Sequence, residues 1–470
     1  MEFRLTNALG DHMVLQREEP VRLWGKGKQP GDIVYAILGA YEGWGAVDDD
    51  LNWDLTLPAM PACTVPQTLR VSDGETALTF TDILVGDVWI VNGQSNADLT
   101  MEGANNNGKG VYDEVMADIS LADNIRAIKQ TRGCATAHPE TMEKPQFDLA
   151  DPATSTWRPI ACKEDVKDMS AMGYFFARYL SRTLNAGVPI GMVMVASGGS
   201  PIMELIMPEL VAPMGYTKPE KKEIPLAGIY NSLMAPVQKM TIKGMLFYQG
   251  ESEQWRYKAY PYQLKWYVEE LRRRFEKDFP FYFVQISSHI KDAIAGWPKI
   301  EEVRYAQTKM LEILDNSYMV VSMDVGGREE NADWAHPPYK QPVGERLARY
   351  ALANEYGVGD VWENASPVPC CWHFDENAVT VTFDFVGEGL KLATGDKLVG
   401  FEAAAEDGKY KKVRGRIDGD TVTFRGVKNA VTLRYAYMHD AKPENANLVS
   451  SSDLPCAAFE IYKDHTELLH

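Results

Sequence analysis

The chain has 470 residues and a mass of 52.6 kDa, more than one ordinary domain holds, which points to two or three. Apolar residues make up 45% of it, enough for a sizeable core, and this argues against wholesale disorder. With 48 Lys plus Arg against 66 Asp plus Glu the net charge is −18, which argues against nonspecific binding to nucleic acid or to anionic lipid.

Six cysteines are too few for a disulfide scaffold, and none has zinc spacing. Cys370 and Cys371 form a vicinal pair that seldom bridges, so the cysteines are read mostly as small buried hydrophobes. No apolar run reaches eighteen residues, so no membrane span is expected. The opening MEFRLTNALGDHMVLQ lacks the charged-then-apolar pattern of a signal peptide. The expectation is a soluble, cytoplasmic protein; a chain trimmed of a leader, hence periplasmic or secreted, would read the same.

Residues 1–80 read as β structure, with VRLWGKG, DIVYAILGAY, LNWDLTLPAM and ALTFTDI as short runs between turn residues. Residues 81–355 change character. LVGDVWIVNG, PIGMVMVASGG, TIKGMLFYQG, FPFYFVQISS and NSYMVVSMDV are near-continuous apolar strands. Between them, Tyr260, Leu264, Tyr267, Leu271 and Phe275 recur at helical spacing. Arg304, Gln307 and Leu311 mark a second helix, and VGERLARYALANEYG a third with a Gly stop. Strands of this kind alternating with helices predict a largely parallel sheet covered on both faces. Residues 356–470 return to β patterning in AVTVTFDF, VTFRGV and VTLRYAYM, with DGDT at 418–421 as a hairpin turn. The two outer segments either form separate small domains or pack as one.

In a parallel sheet, reacting residues gather at the carboxyl ends of the strands. Gly93-Gln94-Ser95-Asn96 follows a buried strand. Ser95 is poised there either as a nucleophile, its own N–H facing an oxyanion, or as the cap of the next helix. Ser197-Gly198-Gly199 ends another strand, where paired glycines offer unshielded N–H groups or merely make a turn. Gln249, in Tyr248-Gln249-Gly250-Glu251, can donate amide hydrogens to a developing oxyanion without carrying charge. Glu251 binds a polar substrate, orients a neighbour or caps a helix. Asp333 and His336, in DWAHPP, suit a carboxylate that holds an imidazole while the imidazole takes a serine proton. Of eight histidines only His138, His289 and His336 fall in the α/β region, and His289 competes with His336 as base or substrate contact. Gln94, Asn96, Glu251 and His289 are the candidates for substrate contact. There is no HExxH, no close cysteine group and no phosphate-binding glycine loop, so neither a metal nor another cofactor is expected.

Taken together, these blocks resemble the sialate O-acetylesterase family of the SGNH/GDSL hydrolases across nearly the whole chain. The matching segments are DHMVLQREEPVRLWGKGKQPGD (11–32), GDVWIVNGQSN (86–96), VPIGMVMVASGGSPI (188–202), LFYQGES (246–252), RYAQ (304–307) and AHPPYKQPVGERLA (335–348). The resemblance implies a flavodoxin-like α/β/α core between N-terminal and C-terminal β-rich segments. It implies Ser95 as nucleophile, His336 as base, Asp333 as its partner, and an oxyanion hole of Ser95, Gly198 or Gly199, and Gln249. The implied reaction removes O-acetyl groups from sugars, above all 9-O-acetylated sialic acids. Acetylated xylan and other acetylated saccharides stand as alternatives, as does a non-catalytic carbohydrate-binding protein. The sequence departs from the family pattern at Ala97, at Ser197 and at Glu253, where YQGESN is usual. The aspartate stands three residues before the histidine instead of two, which leaves Asp324 or a Ser–His dyad as substitutes.

Overall fold

The computed structural model describes residues 2–289, 298–326 and 335–464. The fold is a central mixed β-sheet flanked by α-helices, the α/β/α arrangement that the alternating pattern implied. The chain divides into two compact units, Met1–Asn105 with Gly110–Phe247 and Trp266–Phe281, and Asn106–Lys109 with Tyr248–Lys265 and Tyr282–His470.

The first unit begins with β strands, among them β1 (Ile33–Leu38) and β2 (Tyr41–Ala46), paired antiparallel. Strand β3 then runs unbroken from Ala77 to Gly93 and leads into a single helical turn, α1 (Ser95–Asp98). Next come β4 (Ile125–Gln130), α2 (Ala171–Thr183), β5 (Ile190–Ala196) and β6 (Gly244–Tyr248). Their order in the sheet is β4-β5-β3-β6, and β5 is parallel to both β4 and β3. Every residue of β5 is buried, as are Ile83–Gly93 of β3, because both faces are covered. Trp89 of β3 meets Phe176 of α2 edge-on at 4.9 Å. The register pairs Gly93 with Ala196, so β3 and β5 end side by side. That register is what brings the loops after them together.

The second unit carries α3 (Tyr260–Phe275) up to Lys265, β7 (Phe281–Gln285) from Tyr282, α4 (Ile300–Ile313), β8 (Ser317–Val321) and α5 (Lys340–Tyr356), which Gly357 stops at φ 65°. Two four-stranded sheets follow. One holds β9 (Val368–Phe374), β10 (Ala378–Asp384) and β11 (Thr421–Arg425); the other includes β12 (Phe459–Tyr462). The hairpin at 418–421 is present, Asp418 pairing with Thr421 across Gly419 and Asp420. Arg304 of α4 is fully buried. Its guanidinium donates to the carbonyls of Ile286 (3.1 Å), Ser287 (2.7 Å), Met438 (2.7 Å) and His439 (3.1 Å), and desolvation pushes its pKa down to about 10.

Only Cys456 of the six cysteines is buried; Cys162 and Cys371 are exposed. Cys371 departs from the expectation because β9 alternates its faces and turns this residue outward. No described helix is long and apolar enough to cross a membrane. Among the described residues no group of three His, Cys, Asp or Glu side chains could hold a metal ion.

Candidate functional site

Ser95 occupies the first helical position of α1, and the N-cap is Gln94. The capping reading therefore fails: Ser95 stands one position past the cap and is half-buried. Beneath it, Asn92 fixes the strand ends. Its amide donates to Val195 O at 2.9 Å and accepts from the Tyr267 hydroxyl at 3.0 Å. Gln94 and Asn96, candidates for substrate contact, are both buried.

The loop after β5 carries the two candidate glycines. Ser197 N donates to Gly93 O at 3.0 Å, which ties the loop to the turn that carries Ser95. A Cβ on Gly198 would lie 3.8 Å from the Ser95 Cβ, so the backbone there passes directly beside the serine. Gly199 faces elsewhere, its notional Cβ 3.4 Å from Lys221 Nζ and 3.7 Å from Arg132 Nη1. Arg132 donates to Gly198 O at 2.8 Å and Lys221 to Gly199 O at 2.7 Å. These two cations hold the peptide planes of the loop. Neither makes an ion pair among the described residues. The carboxylate that feels both is Glu204, which is 1% exposed; burial pushes its pKa up, and Ser200, Lys221 and Arg132 oppose that rise. Glu220 is a second carboxylate near Glu204, and its charge adds to the rise. Neither Arg132 nor Lys221 belongs to a motif; the one signal for Arg132 is its place two residues past the end of β4.

In the second unit, Gln249 follows β6 and is 1% exposed. Its carbonyl accepts from the Tyr260 hydroxyl and from Gln307 Nε2, both at 3.0 Å. Gln307 also donates to Val284 O at 3.1 Å and accepts from Ile286 N at 2.9 Å, so one buried amide sets the position of the Gln249 backbone against β7. The Gln249 side-chain amide donates to Glu253 Oε1 at 2.9 Å, and Glu253 Oε2 accepts from Arg256 Nε at 3.2 Å. Glu253, the departure from the family pattern, is thus the group that aims the Gln249 amide. Gly250 between them has φ 150°, and a Cβ would sit 3.0 Å from Gln307 Nε2 and 3.1 Å from Val303. Only glycine fits that turn without strain. Glu251 is also buried, and its charge raises the pKa of Tyr248 and Tyr260 beyond what their burial does.

His289 is fully buried. Its Nδ1 lies 2.8 Å from Ser287 O, which assigns the proton to Nδ1. Desolvation, then Arg304, lowers its pKa to about 3, so it stays neutral near pH 7 and is a weak proton acceptor. His336 lies half-buried in the loop ahead of α5. Its charge is among those that disfavour a charged His289. Asp333 lies outside the described residues. Asp324 is gripped at both oxygens by Arg346, at 2.7 and 2.6 Å, and that ion pair occupies the carboxylate a substitute acid would need.

Residues 85–353 match the family model described as carbohydrate esterase, sialic acid-specific acetylesterase. The chain is 27% identical to a sialate O-acetylesterase of Rattus norvegicus over 424 residues, covering 76% of this chain and 74% of that protein. It is 27% identical to the Homo sapiens sialate O-acetylesterase over 403 residues, covering 76% and 71%. Among solved structures, a carbohydrate acetylesterase from Xanthomonas citri is similar over 98% of this chain and 99% of its own, with TM-score 0.82 and 27% identity.

Proposed function

Because the chain belongs to the sialic acid-specific acetylesterase family of carbohydrate esterases, we propose that it removes O-acetyl groups from sugars by way of an acetyl-enzyme on Ser95. The observation that carries this reading is the packing of Gly198 against Ser95 at the paired ends of β3 and β5. Such a pair supplies both a nucleophile and backbone N–H groups for the charge that develops on the acetyl carbonyl.

Ser95 Oγ attacks that carbonyl while His336 takes the proton. Asp333 holds the imidazole in the tautomer that accepts it. The oxyanion is stabilised by the N–H groups of Ser95 and Gly198 and by the Gln249 amide. Removing one such donor costs about 2.7–4 kcal/mol. Gly198 is preferred to Gly199 because Gly199 faces the cations instead of the serine. The sugar hydroxyl departs with the proton from His336. His336 then activates water, which releases acetate and restores Ser95. The low pKa of His289 supports His336 as the base.

The finer substrate is an O-acetylated sialic acid, acetylated at the 9-position. Two findings favour it over acetylated xylan. The mammalian relatives are sialate O-acetylesterases. The guanidinium of Arg132 and the ammonium of Lys221 beside Gly199 suit the carboxylate of an acidic sugar. The test compares acetate release from 9-O-acetyl sialic acid and from acetylated xylo-oligosaccharides by wild type and Ser95→Ala. Wild type should favour the sialic acid and Ser95→Ala should release none. Activity retained in Ser95→Ala removes the nucleophile, and preference for the xylan fragments removes the finer substrate.

A further inference from the structure

The second unit holds a cavity of about 620 Å³ lined by α4, the start of α3 and the segment before it, and strands β9 and β12. Ser95, Gly198, Gln249, His289 and His336 do not line it. Its walls are aromatic, and two of them, Tyr262 (52% exposed) and Tyr462 (47% exposed), present large surfaces to solvent. Buried aromatic rings normally finish inside a core, so half-exposed rings at the mouth of a cavity call for a flat apolar partner.

Three carboxylates, Glu302, Glu312 and Glu460, line it together with Lys258 and Lys309, and tyrosine hydroxyls hold two of the three. Glu460 accepts from the hydroxyls of Tyr410 and Tyr462, the latter at 2.5 Å. Glu302 accepts from the Tyr437 hydroxyl at 2.8 Å. Among the described residues neither makes an ion pair. Arg434, the cross-strand neighbour of Glu460, is committed elsewhere. Its guanidinium is stacked between Tyr410 (3.5 Å) and Tyr437 (3.7 Å) and bonded to Glu402 at 2.7 and 2.9 Å. This stack makes the two tyrosines rigid, and they in turn fix the carboxylates. Lys309 in the lining is already paired with Glu312. The cavity therefore presents fixed acceptors beside aromatic faces. That chemistry matches a ligand with hydroxyl donors along its edge and C–H groups on its face, and with three carboxylates against two lysines it disfavours an anion.

We propose that this cavity is a second saccharide site, which holds a neutral sugar unit of a glycan chain by stacking on Tyr262 and Tyr462 and by hydroxyl donation to Glu302 and Glu460. It does not depend on the sialic acid reading, since it selects neutral sugars. The test is calorimetric titration of the full-length Ser95→Ala protein with unacetylated xylohexaose, cellohexaose and mannohexaose, with sialyllactose as the acidic comparison. Saturable millimolar binding of at least one neutral hexaose is expected, with sialyllactose weaker. Tyr262→Ala and Tyr462→Ala should each weaken it by about tenfold, whereas Tyr262→Phe should retain it. Both tyrosines are half-exposed, so the unfolding midpoint should stay close to that of the parent; if Tyr462→Ala lowers it, Tyr262→Ala against Tyr262→Phe decides alone. No saturable binding of any neutral hexaose, unchanged affinity in Tyr262→Ala, or tighter binding of sialyllactose overturns the proposal.

Discussion

Replacing Glu253 by Gln tests how the Gln249 amide is aimed. Glu253 is fully buried, and its carboxylate accepts from Gln249 Nε2 at 2.9 Å and from Arg256 Nε at 3.2 Å. A carboxylate offers an acceptor to each. An amide of the same shape offers one acceptor and one NH₂, so either orientation sets a donor against a donor. If the amide oxygen faces Arg256, the Gln249 amide loses its anchor and rotates. A hydrogen bond to a charged group contributes about 1.5–3 kcal/mol, so kcat should fall by about ten- to a hundredfold. KM for a small aryl acetate should change little, because the loss concerns charge that exists only in the transition state. The assay is the steady-state hydrolysis of 4-nitrophenyl acetate by wild type and Glu253→Gln, beside urea unfolding of both. A variant that keeps full kcat while its stability falls would refute the reasoning, since Glu253 would then support the fold without orienting the oxyanion donor.

Arg132→Gln and Lys221→Met should raise KM for 9-O-acetyl sialic acid by more than tenfold while the KM for a neutral acetylated sugar stays within about twofold; equal effects on both substrates would reduce the cations to props for the loop. His289 is neutral when folded, with a pKa near 3, and titrates near 6.5 when unfolded. Between these values the unfolded chain binds the extra proton, so stability falls as pH drops below about 6.5, by about 1.4 kcal/mol per pH unit at most. Urea midpoints against pH should show this slope in wild type and a flatter one in His289→Gln. Arg304→Met would strand four buried carbonyl groups and should cost about 3–5 kcal/mol in urea unfolding. Gly250→Ala forces a methyl group to within 3.0 Å of Gln307 Nε2 at a φ that alanine avoids, and should cost about 1–3 kcal/mol with a parallel loss of kcat.

The apolar strands were legible because a parallel strand covered on both faces has no polar alternation. β3 and β5 stand in the sequence as LVGDVWIVNG and PIGMVMVASGG and appear as buried strands with the expected ends. The helix at Tyr260–Phe275 and the DGDT hairpin were equally plain, through period and turn chemistry. β4 was not, since NIRAIKQ carries an Arg, a Lys and a Gln. In the fold Arg126 pairs with Asp82, Lys129 with Asp98 and Asp168 O, and these partners lie far away in the chain. The same limit applies at the candidate site. The glycines and Ser95 announce themselves by local pattern. Which glycine passes beside Ser95 depends on how the loops after β3 and β5 meet, and that is a contact between distant segments. The roles of Gln307 and Glu253 arise in the same way, from buried amide and carboxylate contacts that no short motif encodes.

Treating the intact protein with a fluorophosphonate, then digesting it and locating the adduct by tandem mass spectrometry, probes the nucleophile without any assumption about the sugar. One equivalent on the peptide that spans Gly93–Asn96, with the mass shift on Ser95 and none in Ser95→Ala, is the predicted result. Full labelling of Ser95→Ala, or an adduct on Ser197 or Ser200 in place of Ser95, would contradict the account.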